Sequence, residues 1–176
     1  AYTQFSGNVK NIYYMGGIGI NWVSFKEGGN SFNKVLYRPL GRIKYMPLDN
    51  FSMSYQFSMQ PTIPSLSTLS GITKNLNRYE FETGNSALRP YDNIKHKLSL
   101  SWNPNRWYIS LNYNIESAKN LFASGIYCQN GKLGYQHINF DSKTVRKINF
   151  YTSFDIIKDM LFIDGYISYN YYCLLY

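Results

Sequence analysis

Long apolar runs are missing from this sequence. Nowhere do about 18 apolar residues follow one another, so no segment has the composition of a membrane-spanning helix. Charge is scarce as well, because Asp, Glu, Lys and Arg make up 16% of the 176 residues, against roughly 25% in typical soluble domains. The first shortage excludes a helical membrane protein, and the second is unusual for a soluble domain.

Cysteine and histidine are also rare. Cys128 and Cys173 are too far apart for a metal-binding motif, which favours two unpaired thiols over a disulfide. His96 and His137 have no Cys, Asp or Glu at ligand spacing, so we expect no metal site. The serines have no neighbouring histidine to activate them, and the glycines at 16–19 precede no helix, so we expect no phosphate loop. The sequence therefore predicts no enzyme, no catalytic residue and no cofactor.

A leader sequence is not evident either. Ala1 is not followed by a basic region and an apolar core, so we expect no signal peptide in this chain. The formal net charge of +8 allows a partner of opposite sign. Lys and Arg are nevertheless scattered through the sequence rather than gathered in one patch, and we expect no nucleic acid partner.

Aromatic residues, by contrast, are abundant, at 18% of the chain. Many occupy every second position of segments in which mostly polar residues lie between them. In residues 51–59, Phe, Met and Tyr alternate with Ser and Gln, and residues 107–115 and 161–171 show a similar pattern. This period of two is typical of a strand with one apolar and one polar face. A mean hydropathy of -0.35 fits spanning β-strands, because their polar positions lower the average.

Short turns at 47–50, 103–106 and 157–160 predict three tight hairpins. Counting outward from these turns pairs Tyr45 with Phe51, Trp102 with Trp107, and Ile156 with Leu161. Each predicted strand is long enough to cross a bilayer at a tilt. The predicted strands are 12–25, 35–46, 51–60, 92–102, 107–117, 144–156 and 160–173.

Longer polar connections alternate with the short turns, at 27–34, 61–91 and 118–143. Asn130-Gly131 in the third connection predicts a strand extension or a small hairpin above the membrane. Bacterial outer-membrane barrels have this alternation, with short turns on the periplasmic side and long loops outside. The residues that flank the short turns are expected to form an interfacial aromatic girdle, or, in a soluble sandwich, to be ordinary strand-end aromatics. These residues are Tyr45, Phe51, Trp102 and Trp107.

Two stretches resemble the barrels of TonB-dependent receptors. Gly84-Asn85-Ser86-Ala87-Leu88-Arg89-Pro90 is similar to the GN-x-x-L-x-P segment that precedes a mid-barrel strand in that family. The hairpin from Pro39 to Pro61 is similar to the preceding hairpin of those barrels. The sequence differs at Ser86, where a second proline is common, and at Tyr91-Asp92, where a glutamate is common. The resemblance extends from residue 12 to residue 173.

This resemblance implies a barrel of about 22 strands with an N-terminal plug, in the cell outer membrane. It also implies uptake of a large nutrient, such as a glycan, peptide or chelate, with energy from TonB. Because the sequence predicts far fewer strands and contains neither plug nor TonB box, we expect residues 1–176 to be one mid-barrel segment. The expected partners are outer-membrane lipid, lipopolysaccharide, the remainder of the barrel and plug, and TonB. Arg146 and Lys147 are candidates to contact lipopolysaccharide phosphates.

Two other interpretations stay open. Residues 1–10 or 119–139 can supply an eighth strand, and eight strands close a complete small barrel of structural or adhesion type. The other interpretation is a soluble β-sandwich or β-barrel that binds a ligand, with the apolar faces as its core.

Candidate ligand-binding residues lie in two places. The 61–91 connection offers cationic and aromatic surfaces at Arg78, Tyr79, Arg89 and Tyr91. The polar strand face offers amides that suit a sugar or a peptide, and the alternative is that they only hydrate a lumen or support a plug. These residues are Gln56, Asn112 and Asn114, with Tyr108, Tyr166 and Asn170 on the same face.

Overall fold

The computed structural model describes residues 1–27, 30–157 and 160–175, which form twelve strands and one short helix. No helix in these ranges is long and apolar enough to cross a membrane. The elements are β1 (Tyr2–Val9), β2 (Ile12–Glu27), β3 (Asn30–Leu48), β4 (Phe51–Thr62), α1 (Leu66–Leu69), β5 (Thr73–Asn75), β6 (Glu80–Thr83), β7 (Tyr91–Trp102), β8 (Trp107–Lys119), β9 (Phe122–Gln129), β10 (Lys132–Asn139), β11 (Ser142–Ile157) and β12 (Leu161–Leu175).

Eight of the strands form one antiparallel sheet in the order β1-β2-β3-β4-β7-β8-β11-β12. This order follows the chain, as in an up-and-down barrel wall. Among the described residues, β1 and β12 are the two edges of the sheet and do not pair with each other. The predicted all-β, antiparallel barrel architecture is therefore confirmed, and the first ten residues supply its eighth strand.

The β1–β2 hairpin uses close aromatic contacts to glycine. The ring of Phe5 lies over Gly16, and the ring of Tyr14 lies over Gly7, so that a Cβ at either glycine would overlap the ring. An aromatic side chain that covers a bare backbone in this way compensates for the poor packing of glycine in a strand. The glycines of this region thus hold the edge strand in place.

The hairpin of β7 and β8 has a different register from the expected one. Trp102 pairs with Ile109 rather than with Trp107, and Leu100 pairs with Leu111. Trp107 pairs instead with Phe154 on β11. The expected register is wrong by two residues, which leaves every side chain on the expected face, because strand side chains alternate with a period of two. The hydrophobic pattern therefore could not distinguish the two registers.

The register of the β3–β4 hairpin also differs from the expected one by two residues. Tyr45 pairs with Met53 rather than with Phe51, and Leu48 pairs with Phe51. Between these two pairs the register shifts, so that Met46 and Pro47 on β3 lie opposite Ser52 alone on β4, which gives β3 one extra residue. A bulge accommodates such residues and leaves them outside the ladder, which suits a proline because it has no N–H to donate.

The hairpin of β11 and β12 follows the prediction over most of its length. Phe154 pairs with Ile163, as expected, and the pairs farther from the turn also have the expected register. Next to the turn, Leu161 pairs with Ile157 instead of Ile156, because the register shifts there. Lys158 and Asp159, which the sequence places in this turn, lie outside the described residues.

The two faces of the large sheet differ in chemistry. We call the face that carries Ile12, Trp22 and Leu98 the apolar face, and the opposite one the polar face. Large apolar side chains on the apolar face are exposed; the exposed fraction of Trp22, for example, is 77%. Ile12 and Trp22 are ten residues apart on β2, or about 33 Å along the strand, which gives about 25 Å of height at a tilt near 40°. That height matches the apolar band of an outer-membrane barrel.

The connections at 61–91 and 118–143 together form a second, four-stranded sheet in the order β5-β6-β10-β9. Asn130 and Gly131 join β9 to β10 with φ of 52° and 73°, as a two-residue hairpin turn with both central residues at positive φ requires. The hairpin predicted from these two residues is confirmed. β10 pairs in parallel with β6, which ties the second connection to the first. The fully buried side chains Leu69 and Leu88 belong to this region.

The apolar face is expected to reject charge. Leu98→Arg, near the middle of β7 on that face, should lower the free energy of unfolding in lipid by about 2–4 kcal/mol, because an arginine there must enter the hydrocarbon. Ser54→Arg on the polar face is the matched control and should cost under about 1 kcal/mol. Urea unfolding in lipid vesicles measures both, and equal losses would contradict the assignment of the faces.

Candidate functional site

One row of the polar face alternates cationic and amide side chains. In the strand register, Arg42 lies opposite Gln56, and Gln56 lies opposite Lys97. Lys97 lies opposite Asn114, which is also opposite Lys147 of β11. Cations thus occupy every second strand from β3 to β11, with an amide on the strand between, whereas β2 carries Met15 in this register. We call this set the cation–amide row; it consists of Arg42, Gln56, Lys97, Asn114, Lys147 and Asn170.

The centre of this row lines an open depression of about 280 Å³. Gln56, Lys97, Asn114 and Lys147 all contribute to its walls. The row lies near the middle of the strands, since Lys97 is midway along β7. It therefore lies at the depth where a barrel wall is surrounded by hydrocarbon.

Three of the four amides predicted on the polar face, Gln56, Asn114 and Asn170, lie in this row. Gln56 and Asn114 are the neighbours of Lys97 on either side. Asn112 lies one row nearer the short turns, where Ser99 donates a hydrogen bond to it at 2.7 Å. The alignment of the cations of the row escaped sequence analysis because they lie in three distant stretches of the chain, and Lys147 was expected only as a lipopolysaccharide contact. The register aligns three of the 18 Lys and Arg residues, Arg42, Lys97 and Lys147, in one row.

The cations of the row are without acidic partners. Within the described part of the chain, the one salt bridge joins Lys95 to Glu116 at 3.4 Å, one row farther from the short turns. Asn93 also donates a hydrogen bond to Glu116 at 2.9 Å. Lys97 and Lys147 are exposed and form no ion pair with a described residue, and the same holds for Arg42.

The row nearer the short turns is, by contrast, bonded internally. Ser99 donates to Asn112, while Tyr166 and Ser168 both donate to Asn149, at 3.1 and 2.8 Å. The amide oxygens of Asn112 and Asn149 are thus bonded within the described residues. In the cation–amide row, Asn170 donates a hydrogen bond to Ser168 at 3.4 Å, whereas the side chains of Gln56 and Asn114 have no hydrogen bond with a described residue. Open cationic and amide donors are able to bind oxygen atoms of a ligand.

The four candidates in the 61–91 connection have two different roles. Arg78 and Tyr79 lie in the exposed stretch before β6, where the guanidinium carbon is 5.8 Å from the ring centroid. The Arg89 guanidinium donates to the carbonyl oxygen of Leu88 at 3.1 Å. Tyr91 packs edge-on against Phe122 at a centroid distance of 5.2 Å. Arg78 and Tyr79 are thus accessible to a ligand, whereas the other two hold the connection together.

The Gly84–Pro90 motif joins the two long connections. Asn85 donates to the carbonyl oxygen of His137 at 2.9 Å and accepts from the backbone N–H of Ala87 at 2.9 Å. Leu88 is completely buried, and Gly84 packs so closely against the backbone of Ser70 that no Cβ fits. The glycine, asparagine and leucine of the motif are thus explained by packing and not by a ligand.

A second link joins β10 to β6. The Tyr135 hydroxyl donates a hydrogen bond to the Glu80 carboxylate at 3.0 Å. This bond raises the pKa of Tyr135 above its ordinary value, because loss of the proton would place two negative charges side by side. The stabilisation is present below pH 10.0 and is lost as the pH rises through the raised pKa.

The four expected interface aromatics lie at the short-turn end of the apolar face. Phe51 and Trp102 are direct cross-strand partners. Trp107 packs on Phe154 with ring centroids 4.6 Å apart. Tyr45 pairs with Ile12 on one side and Met53 on the other. The position is that of a periplasmic girdle, and the girdle role stays a prediction.

The remaining candidates for chemistry are dispersed. Cys128 and Cys173 are free thiols on different sheets. Among the described residues, no three His, Cys, Asp or Glu side chains are grouped as metal ligands. Arg146 is on the apolar face opposite Ile115, whereas Lys147 is on the polar face. The two basic neighbours are therefore unable to contact one lipid phosphate together.

Solved structures show what this architecture resembles. PirA, a siderophore receptor from Pseudomonas aeruginosa, matches with a TM-score of 0.79 at 12% identity, over 98% of this chain and 34% of its own. The copper transporter OprC matches with a TM-score of 0.74 at 10% identity, over 97% and 28%. The FrpB iron transporter from Neisseria meningitidis matches with a TM-score of 0.71 at 10% identity, over 98% and 25%.

The chain has the barrel fold of TonB-dependent receptors. This confirms, at the level of fold, the resemblance seen in the sequence. The chain spans about a quarter to a third of the length of these proteins. No family model matches the sequence, and no curated protein matches it.

The packing at Gly84 provides a test of the motif. Gly84→Ala should destabilise the second sheet by about 1–3 kcal/mol, because the new Cβ would overlap the carbonyl oxygen of Ser70. Gly71→Ala is the matched control, since a Cβ there meets nothing within 4 Å. Hydrogen exchange of the β6 and β10 amides measures the difference, and equal exchange in the two variants would refute this account of the motif.

Proposed function

We propose that residues 1–176 form part of the barrel wall of an outer-membrane TonB-dependent receptor that takes up a large nutrient. The observation that carries this proposal is an eight-stranded sheet, apolar on one face and polar on the other, with the barrel fold of such receptors. In this arrangement the apolar face contacts lipid and the polar face lines the lumen.

Two observations disfavour the alternatives. A complete small barrel requires that its first and last strands pair, and β1 and β12 do not pair among the described residues. A soluble ligand-binding module requires that its apolar stripes are covered. Ile167 and Trp22 are instead 68% and 77% exposed.

The matched structures and the polar face support the proposed class of cargo. The matched proteins are described as carrying copper, siderophores and iron, which supports a transporter rather than an enzyme. A polar face rich in amides and cations suits a chelate, a glycan or a peptide, because all of these present oxygen acceptors. TonB, a plug and the rest of the barrel are the protein partners that this function requires.

Lipid and lipopolysaccharide are the partners of the apolar face. Arg146 lies on that face, and Ile115 opposite it is eight residues beyond Trp107 on β8. That is about 27 Å along the strand, or about 20 Å of height at a tilt near 40°. Arg146 is thus near the outer boundary of the apolar band, where a lipopolysaccharide phosphate is within reach.

Fractionation tests the location. The protein as its gene encodes it should sediment with outer membranes on a sucrose gradient and require detergent for purification. Without heating it should migrate faster on a denaturing gel than after heating, because a folded barrel is compact. Recovery as a compact monomer in detergent-free buffer would overturn the proposal.

Dependence on TonB separates a receptor from a structural barrel. Deletion of the gene should slow growth when either iron, copper or complex glycan is the limiting supply. The same deletion should have no further effect in a strain that lacks TonB, because uptake is already abolished there. An equal growth defect in both strains would contradict the receptor function and favour a structural role.

A further inference from the structure

We propose that a groove on the apolar face, beside His96, binds one acyl chain of a lipopolysaccharide molecule whose phosphate is held by Arg146. The inference rests on the proposed function, which places the apolar face in lipid and Arg146 near the outer boundary of the apolar band. It adds the position of the acyl chain and a hydrogen-bonding pair that distinguishes lipopolysaccharide from phospholipid.

The groove has a volume of about 350 Å³ and lies across β4, β7 and β8. Cross-strand pairing places its whole lining on the apolar face, and the lining consists of Tyr55, His96, Leu98, Tyr113 and Ile115. Each of the three strands is paired on both of its edges within the large sheet, whereas the remainder of a barrel joins at β1 and β12. In a barrel wall the groove therefore opens to lipid and not to another strand.

One hydrogen-bonded pair interrupts this otherwise apolar lining. Nδ1 of His96 is 2.7 Å from the hydroxyl oxygen of Tyr55, and the ring centroids of His96 and Phe57 are 5.3 Å apart. Whichever of the two atoms is the donor, Nε2 of His96 has no hydrogen-bond partner among the described residues. A polar group without a partner is strongly disfavoured in hydrocarbon. The occupant of the groove is therefore expected to supply a hydrogen-bonding atom to Nε2.

The depth of His96 selects the kind of lipid. His96 is six residues from Trp102 on β7, about 20 Å along the strand, or about 15 Å of height at a tilt near 40°. His96 is thus well inside the apolar band, which is about 25 Å tall. The acyl chains of a phospholipid carry oxygen atoms only where they join the glycerol, at the edge of this band. Those of lipopolysaccharide also carry hydroxyl groups and branch esters along the chain, which suit Nε2.

The charge beside the groove selects a lipid with a phosphate. Ile115 lies between His96 and Arg146 in the ladder, so the two basic residues are two strands apart, or about 9–10 Å. Arg146 is exposed and forms no ion pair with a described residue. A guanidinium binds a phosphate through two parallel hydrogen bonds, and its long stem lets the charge reach the headgroups from an apolar surface. A single lipid is therefore able to contact Arg146 with its phosphate and the groove with a chain.

Native mass spectrometry tests the proposal on the purified protein, as its gene encodes it, in detergent. The probes are rough-type lipopolysaccharide and phosphatidic acid, which has a phosphate but no hydroxyl on its chains, each titrated alone. We expect lipopolysaccharide to bind with a defined stoichiometry and more tightly than phosphatidic acid. Equal binding of the two lipids would overturn the choice of lipopolysaccharide, and binding of neither would overturn the site.

The phosphate contact is tested by Arg146→Gln. This change should weaken the binding of both lipids by about tenfold or more, because a hydrogen bond between charged groups is lost. Lys26→Gln is the matched control, since it removes a positive charge from the apolar face of β2, away from the groove. Equal losses in the two variants would mean that the attraction depends only on net charge, which would refute the phosphate contact.

The hydrogen-bonding pair is tested by Tyr55→Phe, which removes the hydroxyl that holds the His96 ring. Lipopolysaccharide should bind several-fold more weakly to this variant, and phosphatidic acid as before, because only the former has a chain oxygen for the pair. Tyr169→Phe is the control, because it removes a hydroxyl from the same face on β12. Unchanged lipopolysaccharide binding by Tyr55→Phe would contradict the role of the pair.

The position of the chain is tested by Leu98→Trp, which fills the groove without a change of charge. Both lipids should bind several-fold more weakly to it than to Leu100→Trp, the control, which enlarges the next position of the same face outside the groove lining. Equal binding by these two variants would overturn the proposed place of the chain.

The barrel is followed separately in every variant by sedimentation with outer membranes and by the heat-dependent gel shift. If the variants retain both properties and fail these comparisons, the lipid site is refuted and the proposed function stays intact. If the unaltered protein lacks both properties, the proposed function itself fails. A second protein that copurifies in place of lipopolysaccharide, and is displaced by Leu98→Trp, would show that a protein covers the groove and would also overturn the inference.

Discussion

The ladder of backbone hydrogen bonds between eight antiparallel strands is the constraint on which the rest of this structure depends. A bilayer offers no partner to a backbone N–H or C=O, so each strand must find its partners in its neighbours. Once the strands pair, their side chains divide between two faces, because the period of a strand is two. The apolar face and the polar face are therefore consequences of one ladder. The same ladder leaves unpaired backbone N–H and C=O groups on the outer edges of β1 and β12, and in a bilayer these groups need a further strand to bond to.

The register between the strands decides which polar side chains lie side by side. Arg42, Lys97 and Lys147 belong to strands that are far apart in the chain, and only cross-strand pairing places them in one row. In the neighbouring row, Ser99 donates a hydrogen bond to Asn112 and Ser168 donates one to Asn149.

The second sheet has a structural explanation of its own. Its parallel pairing of β6 with β10 joins two connections that are distant in sequence. The Gly84–Pro90 motif supports that junction through the side chain of Asn85, the buried Leu88 and the absence of a side chain at Gly84. A motif that resembled a family signature is therefore accounted for by packing, whereas the accessible pair Arg78 and Tyr79 belongs to a more exposed stretch.

Alternation by itself determined seven strands of the large sheet, their faces and the three short turns between them, because burial and exposure are encoded in the residue type at every second position. It also predicted the Asn130-Gly131 hairpin, where the residue types match a specific backbone conformation. Two registers were wrong by two residues, since a shift of two leaves the hydrophobic pattern unchanged. Only the tertiary structure decided which residue of one strand faces which residue of the next. For that reason it alone revealed the bulge after Tyr45, the parallel β6–β10 pair and the cation–amide row.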